Sequence, residues 1–144
     1  MKSQLAIVIP AYNEASNVQP LYARITEVMQ LVQYTYIILF VNDGSSDHTL
    51  HELKSIREKD NRLHYISLSR NFGHQSALKA GLDSVEADIY ISLDADLQHP
   101  PELIPQLLQG WEEGYDVVYT VREDPPNLSK FKKKDIRFFL QYHE

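Results

Sequence analysis

Apolar residues in this chain form short unbroken runs, separated by segments in which they recur every three or four positions. Residues 5–9 are an apolar run closed by Pro10, the pattern of a strand buried on both faces. Val18, Leu21, Ile25, Val28, Met29 and Val32 then fall at helical spacing. Ser16 or Asn17 is the expected N-cap, with Pro20 in the first turn, where proline is tolerated. Residues 36–41 form a second buried strand, rich in β-branched residues. Asn42-Asp43-Gly44-Ser45-Ser46-Asp47 is a turn sequence, and Asp47 is placed to cap a helix carrying Leu50, Leu53 and Ile56. Residues 63–68 are a third strand, 75–85 a helix containing the small residues Ala77, Ala80 and Gly81, and 89–93 a fourth strand. Pro101 opens a helix with Leu103, Ile104, Leu107, Leu108 and Trp111 on its apolar face. Residues 115–121 are a fifth strand.

Strand and helix alternate throughout. Such alternation predicts βαβ units in an α/β fold, with a mostly parallel sheet and helices on both faces. Residues 1–122 form this α/β domain, 123–129 a linker containing Pro125 and Pro126, and 130–144 a basic tail. The tail combines Phe131, Ile136, Phe138, Phe139, Leu140 and Tyr142 with Lys130, Lys132, Lys133, Lys134 and Arg137. It is expected to be an amphipathic helix, although three consecutive apolar residues spread around its circumference.

Composition narrows the class. With 144 residues, 43% of them hydrophobic, the chain is long enough for a real core and too apolar for a disordered segment. No apolar run approaches the roughly 20 residues of a membrane-spanning helix. The sequence has no Cys, which excludes thiolate metal sites and a Cys nucleophile within it. A net charge of −6 argues against a nucleic-acid partner. That charge is uneven: from Asn127 onward the chain carries +3, leaving −9 on the rest.

In an open parallel sheet, ligands bind beyond the carboxyl ends of the strands. Asp94 and Asp96 follow the fourth strand directly, one residue apart. Two carboxylates so placed converge on a hard cation such as Mg²⁺ or Mn²⁺, which takes oxygen ligands and often shares its site with phosphates. Gln98 continues the alternation and adds a carbonyl oxygen. The plainer alternative is that these residues only shape the turn before Pro100 and Pro101. Asp43, after the second strand, is suited to a ribose or base N–H, and equally to an Asx-turn. Tyr12 is suited to stacking on a base, and Glu14 to a ribose hydroxyl or to a helix dipole. Arg70 and Arg122 are candidate phosphate contacts. No G-x-G-x-x-G or G-x-x-x-x-G-K-[ST] motif is present, which argues against a Rossmann dinucleotide site and a P-loop. The six histidines show no ligand spacing.

Four motifs in register carry a resemblance. They are residues 8–14 (Val-Ile-Pro-Ala-Tyr-Asn-Glu), 41–47 (Val-Asn-Asp-Gly-Ser-Ser-Asp), 69–73 (Ser-Arg-Asn-Phe-Gly) and 94–102 (Asp-Ala-Asp-Leu-Gln-His-Pro-Pro-Glu). From about Leu5 to Arg122 the chain resembles the family-2 glycosyltransferases of the GT-A nucleotide-diphospho-sugar transferase fold. Its nearest likeness is the polyprenyl-phosphate branch, which includes dolichol-phosphate mannose synthase and the bactoprenol glucosyltransferases. The resemblance implies an inverting transferase moving a sugar from a UDP- or GDP-sugar to a polyprenyl phosphate, in cell-envelope glycan synthesis. Pro10, Tyr12 and Glu14 would line the nucleotide pocket, and Val41 and Asp43 would contact the base. Asp94, Ala95 and Asp96 would hold the diphosphate through Mg²⁺ or Mn²⁺, with Gln98 as a further ligand. Arg122 would lie near the diphosphate or sugar. Asn42 stands where family members often have Asp. No residue is assigned as a catalytic base.

Family members continue into an acceptor-side half and often membrane helices, so the chain corresponds to the donor-binding N-terminal part. The expected setting is cytoplasmic, at the inner face of the membrane, with peripheral membrane contact and a possible homo-oligomer in the full-length protein. Two rivals remain: a nucleotide-sugar-binding module with no catalysis of its own, and a nucleotidyltransferase. The second is disfavoured because the loop Ala11-Tyr12-Asn13-Glu14 is neither Gly-rich nor basic.

Overall fold

The structure, a computed structural model, describes residues 3–122 and 136–141. The chain divides into two compact units, Met1–Glu102 and Leu103–Glu144. The first contains β1 (Gln4–Ala11), α1 (Ala15–Met29), β2 (Thr35–Asn42), α2 (Thr49–Arg57), β3 (Leu63–Ser67), α3 (His74–Asp83) and β4 (Ile89–Ser92). Its four strands form one parallel sheet in the order β3-β2-β1-β4.

The apolar runs account for this sheet. Leu5 to Ile9 are wholly buried in β1, as are Ile38, Phe40 and Val41 in β2. The register pairs Ile7 with Ile38 and Ile9 with Phe40 on one face, and Ala6 with Ile37 and Val8 with Leu39 on the other. Each large aliphatic side chain so buried contributes about 1.5–3 kcal/mol of transfer free energy. Right-handed crossovers place α1 and α2 on one face as the chain steps from β1 to β3, and α3 on the other as it returns to β4. Gly81 shows how close α3 lies. A Cβ there would sit 2.5 Å from Val8 Cγ1 and 2.8 Å from Val41 Cγ2. The expected α/β arrangement is therefore present, with the strand order reversing at β1.

Helix α1 begins earlier than its sequence suggests. Glu14 occupies the N-cap position without a side-chain cap bond, Ser16 and Asn17 lie inside the helix, and Pro20 falls beyond the first turn. The cause is distant in sequence. Glu14 N donates to Thr49 Oγ1 at 2.9 Å, and Ala15 N donates to Asp47 Oδ2 at 3.2 Å. The first N–H groups are thus satisfied from the turn after β2, with no need of a local cap. Asp47 also accepts from Thr49 N at 2.9 Å, so it serves the starts of both helices. Desolvation pushes the Asp47 carboxyl up, but bonds from Thr49 and Ala15 outweigh it and hold the group below its ordinary value.

At the amino-terminal end of the sheet, Tyr22 Oη donates to Asp60 Oδ2 at 2.5 Å. The Arg62 guanidinium lies 2.7 Å from the same oxygen. The Arg62 guanidinium, and then the Tyr22 hydroxyl, hold the Asp60 carboxyl far below the usual carboxylate range. Burial, reinforced by Asp60, pushes the Tyr22 hydroxyl up to about 12. Asp60 is ionised in the fold where an unfolded chain would be protonated. Its contribution is complete above roughly pH 5 and is lost as the pH falls through the carboxylate range. Tyr22 contributes fully below its ordinary 10.0, and that contribution is lost as the pH rises from there toward about 12. We expect Asp60→Asn to flatten both limbs of the stability–pH profile. Urea midpoints across the two ranges check this, and an unchanged acid slope would overturn it.

A short helical turn, Pro101–Leu103, spans the boundary in sequence, and the second unit contains α4 (Ile104–Glu112) and an antiparallel pair, β5 (Val117–Arg122) with β6 (Ile136–Gln141). Two expectations are corrected here. The fifth strand does not extend the parallel sheet, and residues 136–141 are a strand, not part of an amphipathic helix. Ile136, Phe138 and Leu140 recur at every second position, the period of a strand. That same spacing left no clean helical stripe. The expected linker 123–129 and the lysines of the tail lie outside the described residues.

Candidate functional site

The connection after each parallel strand contributes to one rim of the first unit. After β1, Asn13 adopts a left-handed conformation, with φ 54°. Its N–H donates to Ser45 Oγ at 2.9 Å, and its Oδ1 accepts from Ser46 N at 2.8 Å. Asn is among the residues that tolerate this conformation. The paired bonds tie the loop after β1 to the turn after β2. Tyr12, the residue before Asn13, is 47% exposed. Glu14 accepts from Asn17 Nδ2 at 2.6 Å, so its carboxylate is already engaged within its own helix.

The turn after β2 in turn organises the loop after β3. Asp43 is only 2% exposed. Its Oδ1 accepts from Phe72 N at 2.7 Å and its Oδ2 from Gly73 N at 3.0 Å. Gly44 beside it has φ +67°, and a Cβ there would lie 2.2 Å from the Arg70 carbonyl carbon. The two backbone segments are therefore stacked directly on one another. Arg70 lies over the Phe72 ring, 4.1 Å from its centroid, a cation–π contact on the rim. Of the expected nucleotide contacts, Pro10 and Val41 are buried in their strands and Asp43 is bonded to its neighbouring loop. Tyr12 is the one that offers open surface.

After β4 come the two carboxylates. Leu93 N donates to Val8 O at 3.2 Å, which keeps the start of this loop alongside β1. Ala95 is buried between Asp94 and Asp96. Asp96 is exposed, and its Oδ1 accepts from Gln98 N at 3.0 Å in a turn through Leu97, whose φ is 63°. Asp94 has two imidazole neighbours: His74 Nε2 lies 2.8 Å from Oδ1, and His99 Nδ1 lies 3.2 Å from Oδ2. Neither histidine stands out in the sequence, where the six show no ligand spacing, and His74 least of all. No motif spacing flags it, because it comes from a helix twenty residues before Asp94.

Thus the structure brings Tyr12 and Glu14, Asp43, and Asp94 and Asp96 to the carboxyl ends of three adjacent parallel strands, β2, β1 and β4. The carboxylates follow β4 and the aromatic residue follows β1, on the two strands that flank the point where the order reverses. An open α/β sheet holds its ligand in such a crevice. Arg122 ends β5 in the second unit. Among the described residues, no three His, Asp or Glu side chains form a ready-made metal cluster. The donors that are present, two carboxylates on one loop, suit a hard cation that completes its shell with water and phosphate oxygen.

This architecture is that of the GT-A glycosyltransferases. The chain matches glycosyl transferase family 2 over residues 6–144, and it belongs to that family. It is 48% identical over 141 residues to an uncharacterized glycosyltransferase of Synechocystis, covering 98% of this chain and 44% of that protein. It is 44% identical over 131 residues to the undecaprenyl-phosphate 4-deoxy-4-formamido-L-arabinose transferase of Yersinia pestis, covering 90% of this chain and 40% of that one. Among solved structures it resembles a mannosyltransferase from Pyrobaculum calidifontis in complex with GDP-Man and Mn²⁺. That likeness has a TM-score of 0.59 and 22% identity, over 67% of this chain and 28% of the other. The chain spans less than half the length of these curated relatives. Among the described residues no helix is long and apolar enough to cross a membrane.

Proposed function

We propose that this chain forms the donor side of an inverting glycosyltransferase. It binds a UDP- or GDP-sugar at the carboxyl rim, together with Mg²⁺ or Mn²⁺, and the whole protein passes the sugar to a polyprenyl phosphate in cell-envelope glycan synthesis. The observation that carries this reading is the position of Asp94 and Asp96, directly after β4 where the strand order reverses. The formamido-arabinose transferase relative supports the lipid-phosphate acceptor, and the mannosyltransferase bound to GDP-Man and Mn²⁺ supports the donor and the ion.

In this reading Tyr12 stacks on the base. Asp43 and Val41 support the base-binding rim from beneath, and Pro10 and Glu14 shape its wall. Asp94, Asp96 and the Gln98 carbonyl oxygen hold the cation, with Ala95 setting the separation of the two carboxylates. Arg122 offsets negative charge near the diphosphate or sugar. The bound ion supplies Lewis-acid stabilisation of charge on the departing diphosphate. A lipid phosphate is already ionised near pH 7, so the attacking oxygen has little need of a strong protein base. That fits a site with no assigned catalytic base.

A calorimetric screen of UDP, GDP and their sugars, with and without Mn²⁺, tests the donor assignment. We expect one nucleotide to bind in a metal-dependent way; binding of none of them defeats the reading. A second reading is a donor-binding module with no turnover of its own. Release of free sugar from the bound donor distinguishes the two.

The reading includes peripheral membrane contact at the inner face, which the basic tail supports. Each Lys or Arg near an anionic surface contributes on the order of 1 kcal/mol. Sedimentation with liposomes should show more binding to anionic than to neutral vesicles, reduced when Lys130, Lys132, Lys133 and Lys134 become Gln. Equal partitioning onto both defeats this part.

A further inference from the structure

The geometry points to His74 as a positioning residue for Asp94, locked in place by the turn after β2. This rests on the reading of Asp94 as an oxygen donor to a divalent cation. An ionised carboxylate only accepts hydrogen bonds, so in the 2.8 Å contact His74 Nε2 carries the hydrogen and Asp94 Oδ1 receives it. Oδ2 has His99 Nδ1 at 3.2 Å. A carboxylate offers about four lone-pair directions, so these two contacts leave each oxygen room for a cation.

The two histidines differ in what anchors them. His99 lies on the same loop as Asp94 and moves with it. His74 is the first residue of α3, and α3 is seated on the sheet through buried Ala77 and Gly81. Only His74 therefore fixes Asp94 to a separate rigid element. Its own position is set by the two residues before it. Phe72 N and Gly73 N are both held by the buried Asp43 carboxylate, and Gly73 makes the entry to the helix at φ 97°. A continuous path of short bonds runs from Asp43 through this loop to His74 and on to Asp94. The His74 side chain is half exposed, so it adds little to the core and its loss should not unfold the chain.

Calorimetric titration of Mn²⁺ in the presence of UDP, and separately of GDP, tests this. Partners that orient metal ligands are typically worth 10–100-fold in metal affinity. We expect His74→Ala to weaken Mn²⁺ binding by roughly that factor, with the melting temperature unchanged. His74→Gln, whose side-chain amide also donates, should recover most of the loss. Asp94→Ala should abolish the binding, and adding His74→Ala to it should change nothing further. Wild-type Mn²⁺ affinity in His74→Ala alongside its loss in Asp94→Ala overturns the positioning role while leaving the metal reading intact. Wild-type affinity in Asp94→Ala overturns both. A fall in melting temperature that parallels the lost affinity, or a His74→Gln variant no better than His74→Ala, also overturns it.

Discussion

Replacing Asp96 by Ala should remove Mn²⁺-dependent nucleotide binding and leave the fold standing. The side chain is exposed, and its intramolecular partner is the Gln98 N–H at 3.0 Å. Losing one such exposed bond costs about 0.5–1.5 kcal/mol. Losing a direct oxygen donor should weaken the metal by more than the roughly 100-fold ceiling for groups that act through a ligand. The competing explanation is that Asp96 only closes the turn through Leu97. Asp96→Asn separates the two, because Asn keeps an oxygen acceptor for Gln98 N and gives up the charge. If the charge matters, Asn and Ala bind Mn²⁺ equally poorly. If the turn matters, Asn binds like the parent chain. Isothermal calorimetry with the better-bound nucleoside diphosphate makes the measurement, and normal binding by Asp96→Asn would sink the metal assignment for this residue.

The parallel sheet was legible because its strands are buried on both faces and so appear as unbroken apolar runs. The rim was legible for a related reason: Tyr12, Asp43, Asp94 and Asp96 each fall within three residues of the end of such a run. Three features escaped, and all three depend on contacts between distant segments. The start of α1 is set by Asp47 and Thr49, more than thirty residues on, so local capping rules put it too late. His74 reaches Asp94 because α3 crosses back over the sheet to β4, which no spacing along the chain reveals. The sixth strand was read as a helix from its mixture of basic and apolar residues, although its apolar residues alternate. Asp43 shows the limit of reading a residue by its motif. Its place after β2 marks it as important, and the structure shows its carboxylate bonded to the neighbouring loop. A site assembled from four loops depends on how those loops brace one another, and that bracing is long-range.

Gly44→Ala should be among the most damaging single substitutions in the first unit. Gly44 has φ +67°, and left-handed backbone costs an L-residue roughly 1–2 kcal/mol. Space adds a second penalty. The new Cβ would meet Arg70 C at 2.2 Å, Asn71 N at 2.5 Å and Arg70 Cα at 2.6 Å. All three are backbone atoms, so no side chain can rotate away and the loop after β3 has to shift. Overpacking of this kind costs about 1–3 kcal/mol. Together the loss is about 2–5 kcal/mol, a large share of the roughly 5–15 kcal/mol of an ordinary domain. Gly73→Ala is the control. Its φ is +97° and nothing lies within 4 Å of a Cβ there, so it carries conformational strain without the collision. Urea unfolding should rank Gly44→Ala below Gly73→Ala. The shift also has a local signature. Phe72 N and Gly73 N are protected by the Asp43 carboxylate, so their amide hydrogen exchange should accelerate in Gly44→Ala well beyond that of the central strands. Equal stability of the two variants, with exchange at Phe72 and Gly73 unchanged, would mean that the turn after β2 does not brace the loop after β3.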